Sequence, residues 1–301
     1  MNLALGIMLA WSLAAPASDV DTIAKLREAA ALLERGDAAA ALVAMDGTDT
    51  LAETMIAQPL LLARAKLGTG DVDGAYVVLE QATRRFPDEI APRLELVAIC
   101  VDQELPAAAR AWASSVVELR GADLDRETAE AIMTALWRDR GALPVLEDLA
   151  LRFGGLRAHL AWAWSSHGHW YTAATLFERA SGSAGSHAFE AADQYRLAGF
   201  TSRALAHNAR VTDDAKRIDQ RIDILFGVAE MARVVALEPA AILAGAVQTA
   251  TRVRIAEAHW RLGNHARATA LARDLLATDQ ASRARMLLGA MGRAADETSE
   301  D

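Results

Sequence analysis

The chain has 301 residues, 52% of them hydrophobic, a content that allows a substantial core and excludes disorder over most of the length. Its formal net charge is −9 with a pI near 5.3, so the phosphate attraction that drives nucleic-acid binding has no source here. The apolar residues are mainly Ala, Leu and Val with few aromatics, which favours closely packed helices. We therefore expect a nearly all-α protein that does not bind nucleic acid.

The N-terminus carries the pattern of an export signal. An apolar run from Leu3 is followed by Ala15–Ala17, a small-x-small pattern that signal peptidase cuts, here before Ser18. This predicts a signal peptide at residues 1–17 and a periplasmic mature protein. Because the segment before the run has no Lys or Arg, an apolar first helix of a cytoplasmic protein is the alternative. No cysteine directly follows the run, which argues against a lipid anchor, and no later segment predicts a membrane span.

A repeat of small residues follows the N-terminal segment. Gly70 is followed by Ala75 at +5, Leu79 at +9 and Ala82 at +12. Glycine can end a helix because it allows a left-handed exit, and a small residue at +5 lets the next helix approach closely. The unit is therefore a helical hairpin, with helix A before the turn and helix B after it. The same offsets follow Gly36, which lies 34 residues earlier, and also Glu104, Gly168, Gly199 and Gly263.

This period and hairpin resemble the tetratricopeptide repeat (TPR), in which stacked hairpins share one continuous core. The resemblance implies an all-α, right-handed superhelical solenoid of about eight TPR-like hairpins over residues 18–288. Some copies are degenerate: one turn is expected near Gly141–Ala142, and another near Gly227. Residues 289–301 are acidic and poor in apolar groups, which predicts a disordered tail.

No group of residues has the spacing of a catalytic or metal centre. His159, His167 and His169 lie in one segment, but zinc needs three or four converging ligands, so structural histidines are expected. Asp213–Asp214 lie at a predicted helix start, where carboxylates cap free backbone N–H groups. Cys100 lies in an apolar helical stretch that favours a buried, unreactive thiol. The sequence therefore predicts no enzyme, no metal and no cofactor.

If the solenoid binds a partner, helix A of each hairpin is expected to line its inner surface. In helix B, Arg203 and Asn208 stand out, because an Asn within a helix often has a hydrogen-bonding role. The alternative for Asn208 is that it closes its helix or caps a neighbouring one. The repeat phase gives six inward candidates on helix A, namely Arg64, Trp162, Asp193, Arg196, Glu257 and Trp260.

A second resemblance covers mainly residues 160–280 and depends on one stretch there. It contains Tyr195-Arg196, Ala198-Gly199, Arg203-Ala204-Leu205, Asn208-Ala209, Val211, Asp213, Lys216 and Gln220-Arg221. These residues resemble exported TPR proteins that are encoded beside TonB-system genes in proteobacteria. The resemblance implies a non-enzymatic periplasmic accessory of the ExbB–ExbD–TonB machinery, which drives uptake across the outer membrane.

Two alternatives remain open at the level of sequence. The first is a scaffold for another envelope process, such as outer-membrane biogenesis, secretion or motility. The second is a metal-binding or enzymatic module that uses the histidine-rich middle of the chain. The leading hypothesis is a scaffold whose partner is a protein or peptide of the cell envelope.

Overall fold

A computed structural model describes residues 20–49, 54–182, 184–244 and 248–297. These residues form α-helices joined by short turns, and none of them lies in a β-strand, which confirms the all-α prediction. The chain divides into two compact units, Met1–Leu136 and Trp137–Asp301. The predicted signal peptide at residues 1–17 lies outside the described residues.

The N-terminal unit is built from helical hairpins, followed by one further helix. In each hairpin the two helices are joined by three residues, and the helices pack against each other along their length. A short 3-10 turn, Gly121–Asp123, precedes the last helix. The helices are α1 (Val20–Glu34), α2 (Ala38–Ala44), α3 (Ala57–Gly68), α4 (Val72–Arg85), α5 (Ala91–Asp102), α6 (Pro106–Arg120) and α7 (Arg126–Leu136).

The C-terminal unit repeats the same hairpin with more insertions. Three-residue turns join α9 to α10, α11 to α12, α13 to α14 and α16 to α17, while α15 is an extra short helix. Single 3-10 turns lie at Arg140–Ala142, Gly154–Leu156 and Leu275–Ala277. The helices are α8 (Leu143–Arg152), α9 (Arg157–Ser166), α10 (Trp170–Ser181), α11 (Ala188–Leu197), α12 (Thr201–Asn208), α13 (Asp214–Gly227), α14 (Met231–Ala236), α15 (Glu238–Leu243), α16 (Thr249–Arg261), α17 (His265–Asp274) and α18 (Ala281–Glu297).

The middle residue of each three-residue turn has a positive φ and is termed the turn residue. Gly70 has φ +86°, and a Cβ added there would meet nothing within 4 Å, so the backbone conformation rather than space requires glycine. Glu104 adopts φ 55° at the same position, as the offsets predict. In the α13/α14 hairpin the turn residue is Ala229, with φ 60°, whereas Gly227 is the last residue of α13. The turn predicted near Gly227 is therefore present, two residues further on.

The residue five positions after each turn residue is fully buried where helix B meets helix A. A small side chain at this position lets the two helices approach closely. In the α13/α14 hairpin, counting from Ala229, Val234 takes this buried position. The other turns place alanine there, namely Ala41, Ala75, Ala109, Ala173, Ala204 and Ala268.

Aspartates cap several of these helices. The Asp71 side chain accepts a hydrogen bond from the Gly74 backbone N–H at 2.9 Å, at the start of α4. At the start of α13, the Asp213 side chain accepts from the Lys216 backbone N–H at 3.0 Å. The predicted capping role of Asp213 is thus confirmed, and Asp214 follows as the first helical residue.

The middle and the C-terminal end of the predicted solenoid region differ in detail from the expectation of one array over residues 18–288. The boundary between the two units, Leu136/Trp137, falls in the segment where the repeat phase is poor. Helix α18 continues to Glu297, so the predicted start of the disordered tail at residue 289 falls inside a helix. Met291 explains this extension, because it is buried in the same core cluster as residues of α16 and α17. In the described part of the chain, no helix combines the length and apolar content that crossing a bilayer requires.

Candidate functional site: the stripe on successive A helices

Three positions on helix A, at −9, −6 and −3 from the turn residue, lie on one face because steps of three residues return to nearly the same side of an α-helix. In the C-terminal unit these positions hold mostly charged, amide and aromatic side chains, unlike the alanines that fill the core. Together they are termed the A-helix stripe: His159, Trp162 and Ser165 on α9, Glu190, Asp193 and Arg196 on α11, Gln220, Asp223 and Phe226 on α13, and Arg254, Glu257 and Trp260 on α16.

An ion pair between Asp223 and Arg254 joins α13 to α16 across the stripe. Arg254 Nη1 lies 2.6 Å from Asp223 Oδ1, and about a third of each side chain is exposed. Burial raises the pKa of the Asp223 carboxyl, the charges of Arg254 and Arg196 oppose that rise, and Asp219 and Asp193 add to it. Asp223 therefore interacts with charged side chains from α11, α13 and α16, three of which belong to the stripe.

A second ion pair lies on α11. Arg196 donates to Asp193 Oδ1 from Nη2 at 2.7 Å and from Nε at 3.1 Å. Each side chain is about one-third exposed, and the charges of both residues act on Asp223 of the next helix A. The structure thus brings together two of the predicted groove residues, Asp193 and Arg196. Their charges act on Asp223, which the sequence analysis did not single out.

Helix α16 completes the stripe with a charged pair and an aromatic residue. Glu257 accepts a hydrogen bond from Arg261, whose guanidinium carbon lies 5.3 Å from the centre of the Phe226 ring on α13. Trp260 is half-buried and packs against the core that α13, α14, α16 and α17 share. Glu257 and Trp260, both predicted groove residues, therefore lie on one helix face beside Phe226 and Arg254.

Two polar links from α13 hold the helices of the stripe together. The Gln220 side chain donates from Nε2 to the Phe189 carbonyl on α11 at 2.7 Å. The Asp219 carboxylate accepts from the Gln248 backbone N–H, at the start of α16, at 3.3 Å to each oxygen. These bonds run from α13 to both neighbouring A helices, and directional bonds of this kind fix the register between helices.

Arg64 has the corresponding place in the N-terminal unit. It lies at −6 from Gly70 and donates to Glu95 Oε1 from Nη2 at 2.6 Å and from Nε at 2.9 Å. Glu95 lies at −9 from the next turn residue, Glu104, so this pair joins α3 to α5. Asp223 and Arg254 occupy the same two repeat positions with the charges exchanged. Arg64 thus belongs to the same repeat position as the stripe, but to the other unit.

Asn208 is fully buried, so the prediction that it contacts a partner is corrected by its position. It lies at +9 from Gly199. In the other hairpins whose turn residue is glycine, the residue at +9 is apolar. Its Nδ2 donates to the Arg217 carbonyl at 2.8 Å and to Gln220 Oε1 at 3.2 Å, both on α13. The role of Asn208 is therefore structural, as the alternative interpretation held, but its bonds go to residues within α13 and do not cap that helix.

Arg203 lies away from the stripe, near the turns between helices A and B. Its Nη1 donates to the Tyr195 hydroxyl at 3.2 Å and to the Tyr171 hydroxyl at 3.3 Å. The Tyr195 hydroxyl in turn donates to Glu178 Oε2 at 2.6 Å. Burial, together with the hydrogen bond to Glu178, raises the pKa of Tyr195 to about 12, although Arg203 opposes the rise. This hydroxyl therefore stays protonated and holds the Arg203 guanidinium in place.

Trp162 and the histidine-rich segment have packing roles in the structure. Trp162 stands edge-on to Phe177 of α10, with ring centroids 5.1 Å apart, and its outer side is exposed. His169 makes a similar edge contact with Trp164 at 4.9 Å. Across the described residues, no group of three or more His, Cys, Asp or Glu side chains is arranged to hold a metal ion. Cys100 is buried, and burial raises the pKa of its thiol.

Comparison with known proteins adds little to this geometry. No protein-family model and no curated protein matches the chain. A tetratricopeptide repeat protein from Parabacteroides merdae aligns with 12% identity and a TM-score of 0.47, over 78% of this chain and 97% of that one. The structure of Naa15/Naa10 bound to HypK-THB aligns with 13% identity and a TM-score of 0.48, over 90% of this chain and 46% of that one. The TPR-like fold of this chain rests on its own turns and buried offsets.

Proposed function

We propose that the chain is a non-enzymatic periplasmic scaffold, whose A-helix stripe in the C-terminal unit binds a peptide or helix from a protein partner. The observation that carries this proposal is the run of partly exposed ion pairs on successive A helices, Asp193–Arg196, Asp223–Arg254 and Glu257–Arg261. The core of the same hairpins is filled mainly by buried apolar residues, together with a few buried polar residues such as Asn208, so these partly exposed charges are not needed to close it.

The chemistry of the stripe favours a partner with side chains of both charges. Partly exposed ion pairs contribute little to stability, so their members can exchange partners at low energetic cost. The aromatic side chains of Trp162, Phe226 and Trp260 add apolar area of the kind that dominates binding energy in protein interfaces. A segment that alternates charged and apolar residues fits this surface.

The partner we propose is a component of a TonB–ExbB–ExbD system. Support comes from the resemblance of the Tyr195–Arg221 stretch to exported TPR proteins encoded beside such systems. Affinity purification of the tagged full chain from envelope extracts is expected to recover TonB, ExbB or ExbD, and a deletion strain is expected to lose TonB-dependent uptake. If none of the three co-purifies and uptake is normal, the TonB assignment fails.

The binding surface is tested by a pair of matched double variants. Asp193→Ala with Arg196→Ala removes an ion pair from the stripe, whereas Glu80→Ala with Arg84→Ala removes one from helix B of the N-terminal unit. Because exposed pairs are worth only about 0.5 kcal/mol, both variants should fold. We expect the first to weaken partner binding roughly ten-fold or more and the second to leave it unchanged. Equal binding by the two variants would place the partner elsewhere.

The proposed periplasmic location has its own test. N-terminal sequencing of the protein purified from its natural host is expected to begin at Ser18, following cleavage after Ala17. Recovery of Met1 in a soluble cytoplasmic fraction would reject export and leave the scaffold proposal without its envelope partner.

A further inference from the structure

A second surface lies at the turns of two successive hairpins in the C-terminal unit, and the stripe does not use it. Tyr171 is in the first turn of α10, Phe200 is the N-cap residue of α12, and Arg203 is in the first turn of α12. The Tyr171 and Phe200 rings are 4.9 Å apart, and nearly half of each residue is exposed. Tyr195 is buried beside them, with centroid distances of 6.1 Å to Tyr171 and 6.4 Å to Phe200. Tyr171, Phe200 and Arg203 are termed the turn patch.

The Arg203 guanidinium is bound by only one of its edges. Both of its hydrogen bonds leave from Nη1 and go to tyrosine hydroxyls, which are neutral. Within the described residues, its Nε and Nη2 make no hydrogen bond, and no carboxylate forms an ion pair with it. Nε and Nη2 form the edge of an arginine that grips a carboxylate through two parallel hydrogen bonds.

The surroundings keep this edge oriented. The guanidinium carbon lies 5.4 Å from the Tyr195 ring centre and 5.8 Å from that of Tyr171, so two aromatic rings pack against the cation. Tyr195 is itself fixed by burial and by its bond to Glu178. Arg203 is therefore pre-positioned before any partner arrives, which lowers the entropy lost on binding.

We propose that the turn patch binds an acidic peptide segment of a protein partner, in which an Asp or Glu side chain adjoins an aromatic residue. The partner's carboxylate accepts hydrogen bonds from Nε and Nη2 of Arg203, and the adjoining ring covers Tyr171 and Phe200. Charge complementarity selects this occupant, because the patch offers one exposed cation beside two half-exposed rings. The proposal goes beyond the stripe and does not depend on what the stripe binds.

The test uses two amidated, acetylated peptides and the full chain. One peptide is Gly-Ser-Phe-Asp-Phe-Ser-Gly and the other has Asn in place of Asp. In nitrogen-15 spectra, the Arg203 Nε–H signal is assigned as the one missing from Arg203→Lys. We expect the Asp peptide to shift this signal saturably. The affinity of the Asn peptide is expected to be lower by about ten-fold or more. Equal affinity for both peptides, or an unmoved Arg203 signal at the solubility limit of the Asp peptide, overturns the proposal.

A pair of lysine variants provides the second arm. Arg203→Lys keeps the charge but loses the two-pronged edge, and is expected to weaken binding of the Asp peptide about ten-fold with little change in melting temperature. Arg273→Lys, at an exposed position of α17, is the matched control and should bind as the unaltered chain does. Undiminished binding by Arg203→Lys overturns the proposal. A concentration-dependent dimer that Arg203→Lys dissolves would assign the patch to a second copy of this chain and overturn it as well.

Discussion

The two units are built from the same hairpin but differ at one core position, the residue nine places after the turn residue. In the N-terminal unit this position is apolar in each hairpin, with Met45, Leu79 and Ala113 all buried. In the C-terminal unit two of the hairpins have Asn208 and Glu238 there instead, counting from Gly199 and Ala229. At this position, therefore, the N-terminal hairpins make apolar contacts, whereas two of the C-terminal hairpins place a polar group there.

Both polar residues bind the next part of the array. Asn208 donates to α13, as described above, while Glu238 accepts from Arg267 Nε at 2.9 Å and binds His259 Nε2 at 2.7 Å. Apolar contacts tolerate small shifts between helices, whereas hydrogen bonds are directional. In the C-terminal unit, which carries the A-helix stripe, the hydrogen bonds of these two +9 residues therefore help to fix the register of successive hairpins.

Exchanging the two kinds of core residue tests whether the units differ at the +9 position. Leu79→Asn is expected to lower the free energy of unfolding by about 4 kcal/mol, because it removes a fully buried side chain and buries an amide without partners. Asn208→Leu keeps a similar volume but deprives Gln220 and the Arg217 carbonyl of their donor. It is expected to lower the free energy of unfolding by about 2 kcal/mol. Urea unfolding of each variant measures the two values.

Both variants are expected to be destabilised, and Leu79→Asn more than Asn208→Leu. If Asn208→Leu proves as stable as the unaltered chain or more so, the polar bond contributes nothing to stability and the two units are equivalent at this position. If Leu79→Asn is tolerated, the N-terminal hairpins are packed more loosely than their buried +9 residues indicate.

The ionisation of Glu238 makes the stability of the C-terminal unit depend on pH. Burial alone would raise the pKa of this carboxyl, but the hydrogen bonds and charges of Arg267 and His259 outweigh it and hold the pKa below its ordinary value of 4.5. A carboxyl whose pKa is lowered in the folded state stabilises the fold above the unfolded-state pKa, and this stabilisation is lost as the pH falls through the folded-state pKa. Glu238→Gln is therefore expected to cost about 2 kcal/mol at neutral pH.

The same variant should lose its disadvantage in acid. As the pH falls below about 4.5, the difference between Glu238→Gln and the unaltered chain is expected to shrink, as measured by urea unfolding at a series of pH values. Glu80→Gln in the N-terminal unit, whose partner Arg84 is largely exposed, should change stability by no more than about 0.5 kcal/mol. A pH-independent deficit for Glu238→Gln would show that lost packing, not lost charge, is responsible.

Most of the fold follows from features that the sequence displays directly. A glycine turn with alanine at +5 requires only local backbone conformation and size, so the hairpins of Gly36, Gly70, Gly168, Gly199 and Gly263 are found by counting. Glu104 is also found, since its helix B keeps the offsets although its turn residue has a side chain.

The site could be predicted only as far as the turn was placed correctly. Counted from Gly227, the groove positions of α13 are Arg221 and Ile224, and Ile224 is buried. Counted from Ala229, the true turn residue, they are Asp223 and Phe226, which belong to the stripe. The residue type does not indicate that Ala229 adopts a positive φ, because the surrounding packing imposes this conformation. The role of Asn208 could not be predicted for a related reason, because its partners on α13 become its neighbours only in the folded chain.

A modest gain in stability is expected from glycine at these two unusual turns, one in each unit. Glu104 and Ala229 adopt positive φ, which costs a residue with a Cβ about 1 kcal/mol that glycine does not bear. Glycine also gains entropy in the unfolded chain, which offsets part of this benefit. We therefore expect Glu104→Gly and Ala229→Gly each to raise the free energy of unfolding by about 0.5 kcal/mol, measured as a higher urea midpoint.

The neighbouring Gln103 provides the control, because it has φ −89° and gains nothing from glycine. Gln103→Gly should therefore be neutral or destabilising by up to about 1 kcal/mol. If Glu104→Gly behaves in the same way as Gln103→Gly, the strain at this turn is absent and the N-terminal hairpin is less regular than its offsets imply. A gain at Glu104 with none at Ala229 would instead show that the C-terminal turn is stabilised by its own side chain, and that the units differ at the turn as well as at the +9 position.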